Sequence, residues 1–192
     1  MAIQHTLFIS TTRIKKDTAL GGSVDDKLLL PYILMAQDRY ILPVLGTDLY
    51  DKLISDIQGS SLAGDYLTLL QTYIQPALVQ FSFATVVPFL RLRFVNNSVV
   101  TMDSEQGSSV SHEDLKPLIN ASMDQGEFLR ERLIDYIQNN TSSFSEYSSN
   151  TGADLTPTTQ NYYAGLNLDV APVSNKVKSF IQGAGITIVD VC

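Results

Sequence analysis

A mainly α fold is expected from the sequence: a helical bundle built on a long antiparallel helix pair, with extended N-terminal and C-terminal arms able to contribute short β-strands. Three observations predict it. Apolar residues recur at three- and four-residue steps over residues 29–44 and again over 115–137, the signature of helices with one buried face. An uncharged run, QTYIQPALVQFSFATVVPFL, fills residues 71–90 and reads as a helix buried on most sides. Beyond Asn139 the composition turns to Ser, Thr, Asn and Gly with scattered tyrosines, which buries too little to fold alone. The chain of 192 residues is of a size for one core. The division expected is an N-terminal arm over residues 1–22, a helical core over 23–140 and an extended C-terminal arm for assembly contacts over 141–192.

Taken in order, residues 7–16 are β-branched and mixed and read as an extended arm or edge strand. Ser23 then caps a helix with Asp26 at the box position. Its stripe is Leu29, Ile33, Ala36, Tyr40 and Val44, with an early bend at Pro31. Gly46 supplies a left-handed stop without a Cβ penalty, and Thr47 caps the next helix with Asp48 in its first turn. Leu49, Leu53 and Ile57 form the buried edge of that helix, and QGSSLAG is a loop. A long helix follows over residues 65–95, roughly 46 Å if unbroken. Pro76 and Pro88 each remove one ladder bond and should bend it.

The loop NNSVVTMDSEQGSSV has room for a short hairpin. Ser111 caps the next helix with Asp114 at the box position, and Val110 and Leu115 form a staple. The stripe runs Leu115, Leu118, Ser122, Gly126, Leu129, Leu133 and Tyr136 or Ile137, with Gly126 allowing close approach to the other long helix. Ile186, Ile188 and Val189 suggest a terminal strand suited to joining another subunit's sheet.

Apolar residues make up 44 % of the chain and charged residues only 17 %. That is less charge than the roughly 25 % of a typical soluble domain, which points to surface covered by other subunits. With 13 Lys and Arg against 20 Asp and Glu, the net charge of -7 disfavours tight binding to nucleic acid. The single Cys192 makes no intrachain bridge, consistent with a reducing compartment. The N-terminal residues carry no basic region followed by a long apolar run, so a secretory signal is not expected. Residues 71–90 are long enough to span a bilayer, but three glutamines and two prolines favour burial within protein.

Reactive groups are thinly supplied. His5 and His112 each lack a second ligand at metal spacing. Gly21-Gly22 and GAGITIVD do not complete a phosphate-cradling loop and read as turns. Asp25, Asp26, Glu113 and Asp114 sit where helix N-termini favour negative charge. Arg91 and Arg93 read as a solvated helix end. Tyr66, Tyr73, Phe81 and Phe83 read as core or subunit contacts rather than a ligand box. The sequons at Asn96, Asn120, Asn139 and Asn140 mean little without a secretory route. No catalytic, cofactor-binding or metal-binding residue is therefore expected, and no cofactor.

TRIKKDTALGGSVDDKLLLPYILMAQDRYILPVLGTDLYDKLI, YIQPALVQFSFATVVPFLRLRF and LINASMDQGEFLRERLIDYI together resemble the head-tail connector (adaptor) proteins of tailed phages. The likeness is closest to the neck ring proteins of crAss-like phages. It covers residues 11–147, and its most specific pieces are Pro31-Tyr32-Ile33, Ala36-Gln37, Leu45-Gly46-Thr47 with Leu49-Tyr50, and Tyr73-Ile74-Gln75-Pro76-Ala77. These are packing motifs, which speak to fold more firmly than to role. The resemblance implies a non-enzymatic virion protein of the neck, assembled in the host cytoplasm. It would form a homo-oligomeric ring, expected to be dodecameric, beneath the portal protein. Such a ring extends the DNA exit channel, lets genomic DNA pass without specific binding, docks other neck or tail proteins and touches no membrane. The corner at Gly46 would hold two helices rigidly so that copies pack side by side, with Pro31 and Pro76 shaping the wedge. The competing expectations are a tail-completion or stopper protein of the same neck, and a small helical regulator or enzyme.

Overall fold

The computed structural model describes residues 5–21, 24–90, 92–95, 98–101, 112–149, 151 and 154–158. The protein is mainly helical. Residues 7–16, read from sequence as extended, instead contain helix α1, Thr11–Asp17, whose N-cap Ser10 accepts a hydrogen bond from the Arg13 N–H. Lys15 and Lys16 in its last turn complement the helix dipole. Phe8, Ile9, Ile14 and Leu20 are all buried in the main core. That burial, together with the Ser10 cap, overrides the weak strand preference of the β-branched residues.

Helix α2, Asp26–Ala36, is capped by Asp25, which accepts from the Lys27 N–H at 3.0 Å; the expected cap Ser23 lies outside the described residues. Leu29, Ile33 and Ala36 face the core. A wide π turn, Gln37–Ile41, follows and leads into α3, Leu42–Gln58. The same arrangement recurs further on. Helix α4, Gly64–Thr68, passes through a second π turn, Leu69–Ile74, into α5, Gln75–Leu90.

In both places a single residue separates the π turn from a proline: Leu42 before Pro43, and Gln75 before Pro76. The Leu42 N–H bonds to the Gln37 carbonyl and the Gln75 N–H to the Leu70 carbonyl, each five residues back. A proline ring in an ordinary helix collides with the carbonyl four residues earlier and lacks the N–H that would pair with it. Inserting one residue into the preceding turn relieves both problems. It also advances the buried face, so that Gln37 and Ile41 turn fully inward although the Leu29–Ile33–Ala36 stripe predicted Tyr40.

α5 is buried around most of its circumference, by α2, α6 and the π turns among others. Helices Asp26–Gln58 and Gly64–Leu90 are each long and apolar enough to cross a membrane. The first is interrupted by a non-helical Gly46, and the second forms the centre of the protein core.

α5 ends at Leu90, earlier than the periodicity suggested, and a hairpin takes over. β1, Leu92–Val95, pairs antiparallel with β2, Ser98–Thr101, with Arg93 opposite Val100 and Phe94 opposite Val99. Aromatic and β-branched residues on both sides of Asn96-Asn97 favour that pairing over further helix.

α6, His112–Asn139, lies along α5, while its expected cap Ser111 is outside the described residues. Tyr73 stacks on Tyr136 with ring centroids 4.0 Å apart, and Phe81 abuts Gly126. A Cβ on Gly126 would sit 2.8 Å from the Phe81 ring, so the approach requires glycine. Leu118, placed on the buried stripe by its spacing, is instead exposed, and Ile119 is packed against the core.

Residues 141–149 were expected to begin an extended arm. They form a 3-10 turn, Thr141–Ser143, and helix α7, Ser145–Ser149, with Phe144 and Tyr147 buried. Phe144 meets Tyr66 edge-on at 5.4 Å, and this aromatic anchor holds a polar segment that composition alone would leave loose. Contacts divide the chain into a unit of Met1–Asn161 and a second of Tyr162–Cys192. The strand expected at Ile186, Ile188 and Val189 lies outside the described residues.

Candidate functional site

Among the described residues no group of three or more His, Cys, Asp or Glu side chains could hold a metal ion. His5 is exposed, and the side chain of His112 falls outside the described residues, as do Arg91 and the side chain of Arg93. Asp25 is spent on its cap and Asp26 on an ion pair with Lys15 at 2.7 Å. The hydrogen bond from Lys15 holds the Asp26 carboxyl below its usual value. Among the described residues, extended backbone is gripped in two places, at the Gly46 corner and at the two π turns.

The first is the corner at Gly46. Its backbone has φ 73 and ψ 164, a positive-φ extended conformation and not the left-handed helical stop read from the sequence. That region is essentially closed to residues with a Cβ. Residue 151 and residues 154–158 meet the corner. The Thr47 N–H donates to the Leu155 carbonyl at 3.1 Å, and the Leu155 N–H donates back to Thr47 Oγ1 at 2.9 Å. The Thr158 N–H donates to the Pro43 carbonyl at 2.9 Å. Asp48 accepts from the Thr151 N–H at 2.7 Å and the Thr151 hydroxyl at 2.9 Å. Pro157 lies directly over Gly46, its Cγ and Cδ 2.7 Å from where a Cβ would stand. Thr47 and Asp48, read from sequence as helix-starting residues, therefore serve as the clasp for a strap more than a hundred residues away. The break at Gly46 frees both groups, because in a continuous helix the Thr47 N–H would bond to the Pro43 carbonyl four residues back.

Residues 41–156 match the Family of unknown function (DUF6712). The chain belongs to that family. No curated protein and no solved structure matches it. The DUF6712 region takes in the Gly46 corner, the clasp residues Thr47 and Asp48, and the strap as far as Thr156. It leaves out α1, α2 and the N-terminal segment that the second gripping place holds.

That second place uses two glutamines. Gln37 is fully buried; its Oε1 accepts from the Phe8 N–H at 2.8 Å, and its Nε2 donates to the Thr6 carbonyl at 3.1 Å and to the Tyr50 hydroxyl at 2.7 Å. Gln75 donates from Nε2 to the Phe8 carbonyl at 2.8 Å and accepts from Arg13 at 3.2 Å. Both polar groups of the Phe8 backbone are thus met by glutamines at the two π turns, and the Phe8 ring packs 5.2 Å from Tyr50. Burial pushes the Tyr50 hydroxyl well up, and its proton is donated to Asp38 at 2.9 Å. Periodicity gave no signal for this, because a glutamine counts as polar wherever the helical face is drawn.

Beside it lies a cavity of about 350 Å³, lined by Leu7, Ile57, Leu62 and Leu70 with Asp56 and Gln75 among the polar groups. Asp56 is paired with Lys52 at 2.7 Å and accepts from Ser61, and Gln75 is used as above, so the carboxylate and the amide of its lining are already engaged. Further round, Tyr66 donates to Glu146 at 2.6 Å, tying α4 to α7. Burial and the neighbouring carboxylate push the Tyr66 hydroxyl up to about 12. Burial acts to raise the Glu146 carboxyl, but hydrogen bonds led by that from Tyr66 hold it below its usual value.

Proposed function

We propose that this DUF6712 protein is a structural virion component, a head-tail connector (adaptor) whose copies form a ring on the portal protein. In that role it extends the DNA exit channel and presents the attachment surface for other neck or tail components. The observation that carries the reading is how the residues of the resemblance are used. Gln37 and Gln75 hold the backbone at Phe8, and Gly46 makes the corner that Pro157 lies over. Residues that hold distant segments in place suit a part that keeps a fixed angle between neighbours. The long antiparallel pair formed by α5 and α6, closed at Gly126, serves as the spine of each wedge. Genomic DNA would pass without specific binding, in keeping with the net charge of -7. The role calls for no cofactor and no membrane.

Mixing the purified protein with isolated portal and imaging by negative stain tests this directly. Rings seated on the portal are the expected result, and a stable monomer indifferent to portal would contradict it. A tail-completion or stopper protein in another tier of the neck is the second reading, favoured if the protein binds only a preformed portal–adaptor assembly.

A further inference from the structure

The strap at the Gly46 corner is held as a bound peptide would be. Of its described residues, Thr151, Asp154, Leu155 and Thr156 are exposed and Pro157 and Thr158 half-buried, and none belongs to the main core. Its grip comes instead from hydrogen bonds with Thr47, Asp48 and the Pro43 carbonyl, with Pro157 laid over Gly46. Water can replace each of those bonds, so the net contribution of each is small. α7, just before the strap, is held differently, by the buried Phe144 and Tyr147 and by the Tyr66–Glu146 hydrogen bond. Release of the strap therefore does not require release of α7. The corner reads mostly backbone: the Thr47 N–H and the Pro43 carbonyl pair with the backbone of Leu155 and Thr158, and the absence of a Cβ on Gly46 makes room for one proline ring. A seat of that kind takes an extended Leu-Thr-Pro-Thr segment whichever chain supplies it.

We propose that the Gly46 corner is a binding site for this segment of a second copy, so that copies exchange straps. The strap seated on its own corner is the form of the isolated chain. Exchange substitutes identical contacts, as in other swaps of one element between copies. It is favoured where neighbours bring a second strap to the millimolar local concentration that a short tether gives the first. α7 stays in place throughout, because Leu155 lies six residues past Ser149, a reach of at most about 21 Å. The site goes beyond the connector reading, since two copies with no portal present would show it.

Asp48 and Thr151 meet when a strap is seated, so a cysteine at each position reports the contact as a disulfide. In full chains that also carry C192S, D48C is mixed with T151C under oxidised glutathione. The mixed disulfide should form at least about tenfold faster than either homodimer, because a seated strap holds the two thiols together. Adding L155P/T158P to the T151C chain removes the two strap N–H donors and should abolish that advantage. The double variant D48C/T151C should close within one chain when dilute and link chains as its concentration rises. Circular dichroism matching the parent confirms that the variants fold. A mixed product no faster than the homodimers, one indifferent to the two prolines, or a double variant that closes only on itself at every concentration would each overturn the exchange and leave the strap a fixed brace. A double variant that closes in neither way would remove the seat itself. Rings on portal are decided separately by the imaging experiment, so the connector reading stands or falls independently of these outcomes.

Discussion

Gly46 carries two constraints at once. Its φ of 73 with ψ 164 is strained for any side chain, and Pro157 occupies the space a Cβ would need. Gly46→Val should therefore cost on the order of 3 kcal/mol, from backbone strain alone. In a chain of this size that is a fall of roughly 6–12 °C in melting temperature. An unchanged melting curve would show that the strap does not rest on this corner. Gln37 is the second decisive residue, since one amide serves the Phe8 N–H, the Thr6 carbonyl and the Tyr50 hydroxyl. Gln37→Leu keeps the volume and removes those partners, at about 1–3 kcal/mol for a buried group left unpaired. Chemical denaturation should show that loss, and hydrogen exchange should show the Phe8 amide losing protection before the amides of α5.

The helices explain why those residues can act as they do. Each π turn precedes a proline by one residue, and each places a glutamine where it can reach Phe8. α7 is held differently, through Phe144 and the Tyr66–Glu146 hydrogen bond. Because the folded Glu146 carboxyl lies below its unfolded value, it contributes stability at neutral pH that fades as the pH falls below ~4. The Tyr66 hydroxyl, raised to about 12, contributes stability that is complete below ~10 and lost as the pH climbs through its folded value. Thermal unfolding across pH should therefore weaken at both extremes, and Glu146→Gln should reduce the acid limb. An acid limb identical in that variant would place the pH sensitivity in other carboxylates.

Contacts gather Met1–Asn161 into one unit, which holds both gripping places. Deleting residues 162–192 should therefore leave the far-ultraviolet circular dichroism and the melting temperature close to those of the full chain. The same truncation should abolish attachment to portal or to the next ring, if that segment is the assembly arm the connector role requires. Loss of the cooperative transition would show that the first unit depends on the second. Normal incorporation into virions would move the attachment surface onto the helices.

Periodicity and composition were enough to make the protein helical, to place helices near α2, α3, α5 and α6, and to pick out Gly46 and Gly126 as positions that need glycine. Those features depend on neighbours three or four residues apart, which a sequence displays directly. The reading placed an extended arm at α1 and a loose tail at α7, because what folds those segments is burial against α5 and Tyr66, contacts made across 60–80 residues of chain. The clasp of Thr47 on Leu155 and of Asp48 on Thr151 was hidden for the same reason. Short polar side chains after a glycine serve a helix start and a distant backbone equally well, and only the packed structure brings Pro157 over Gly46 to decide between them.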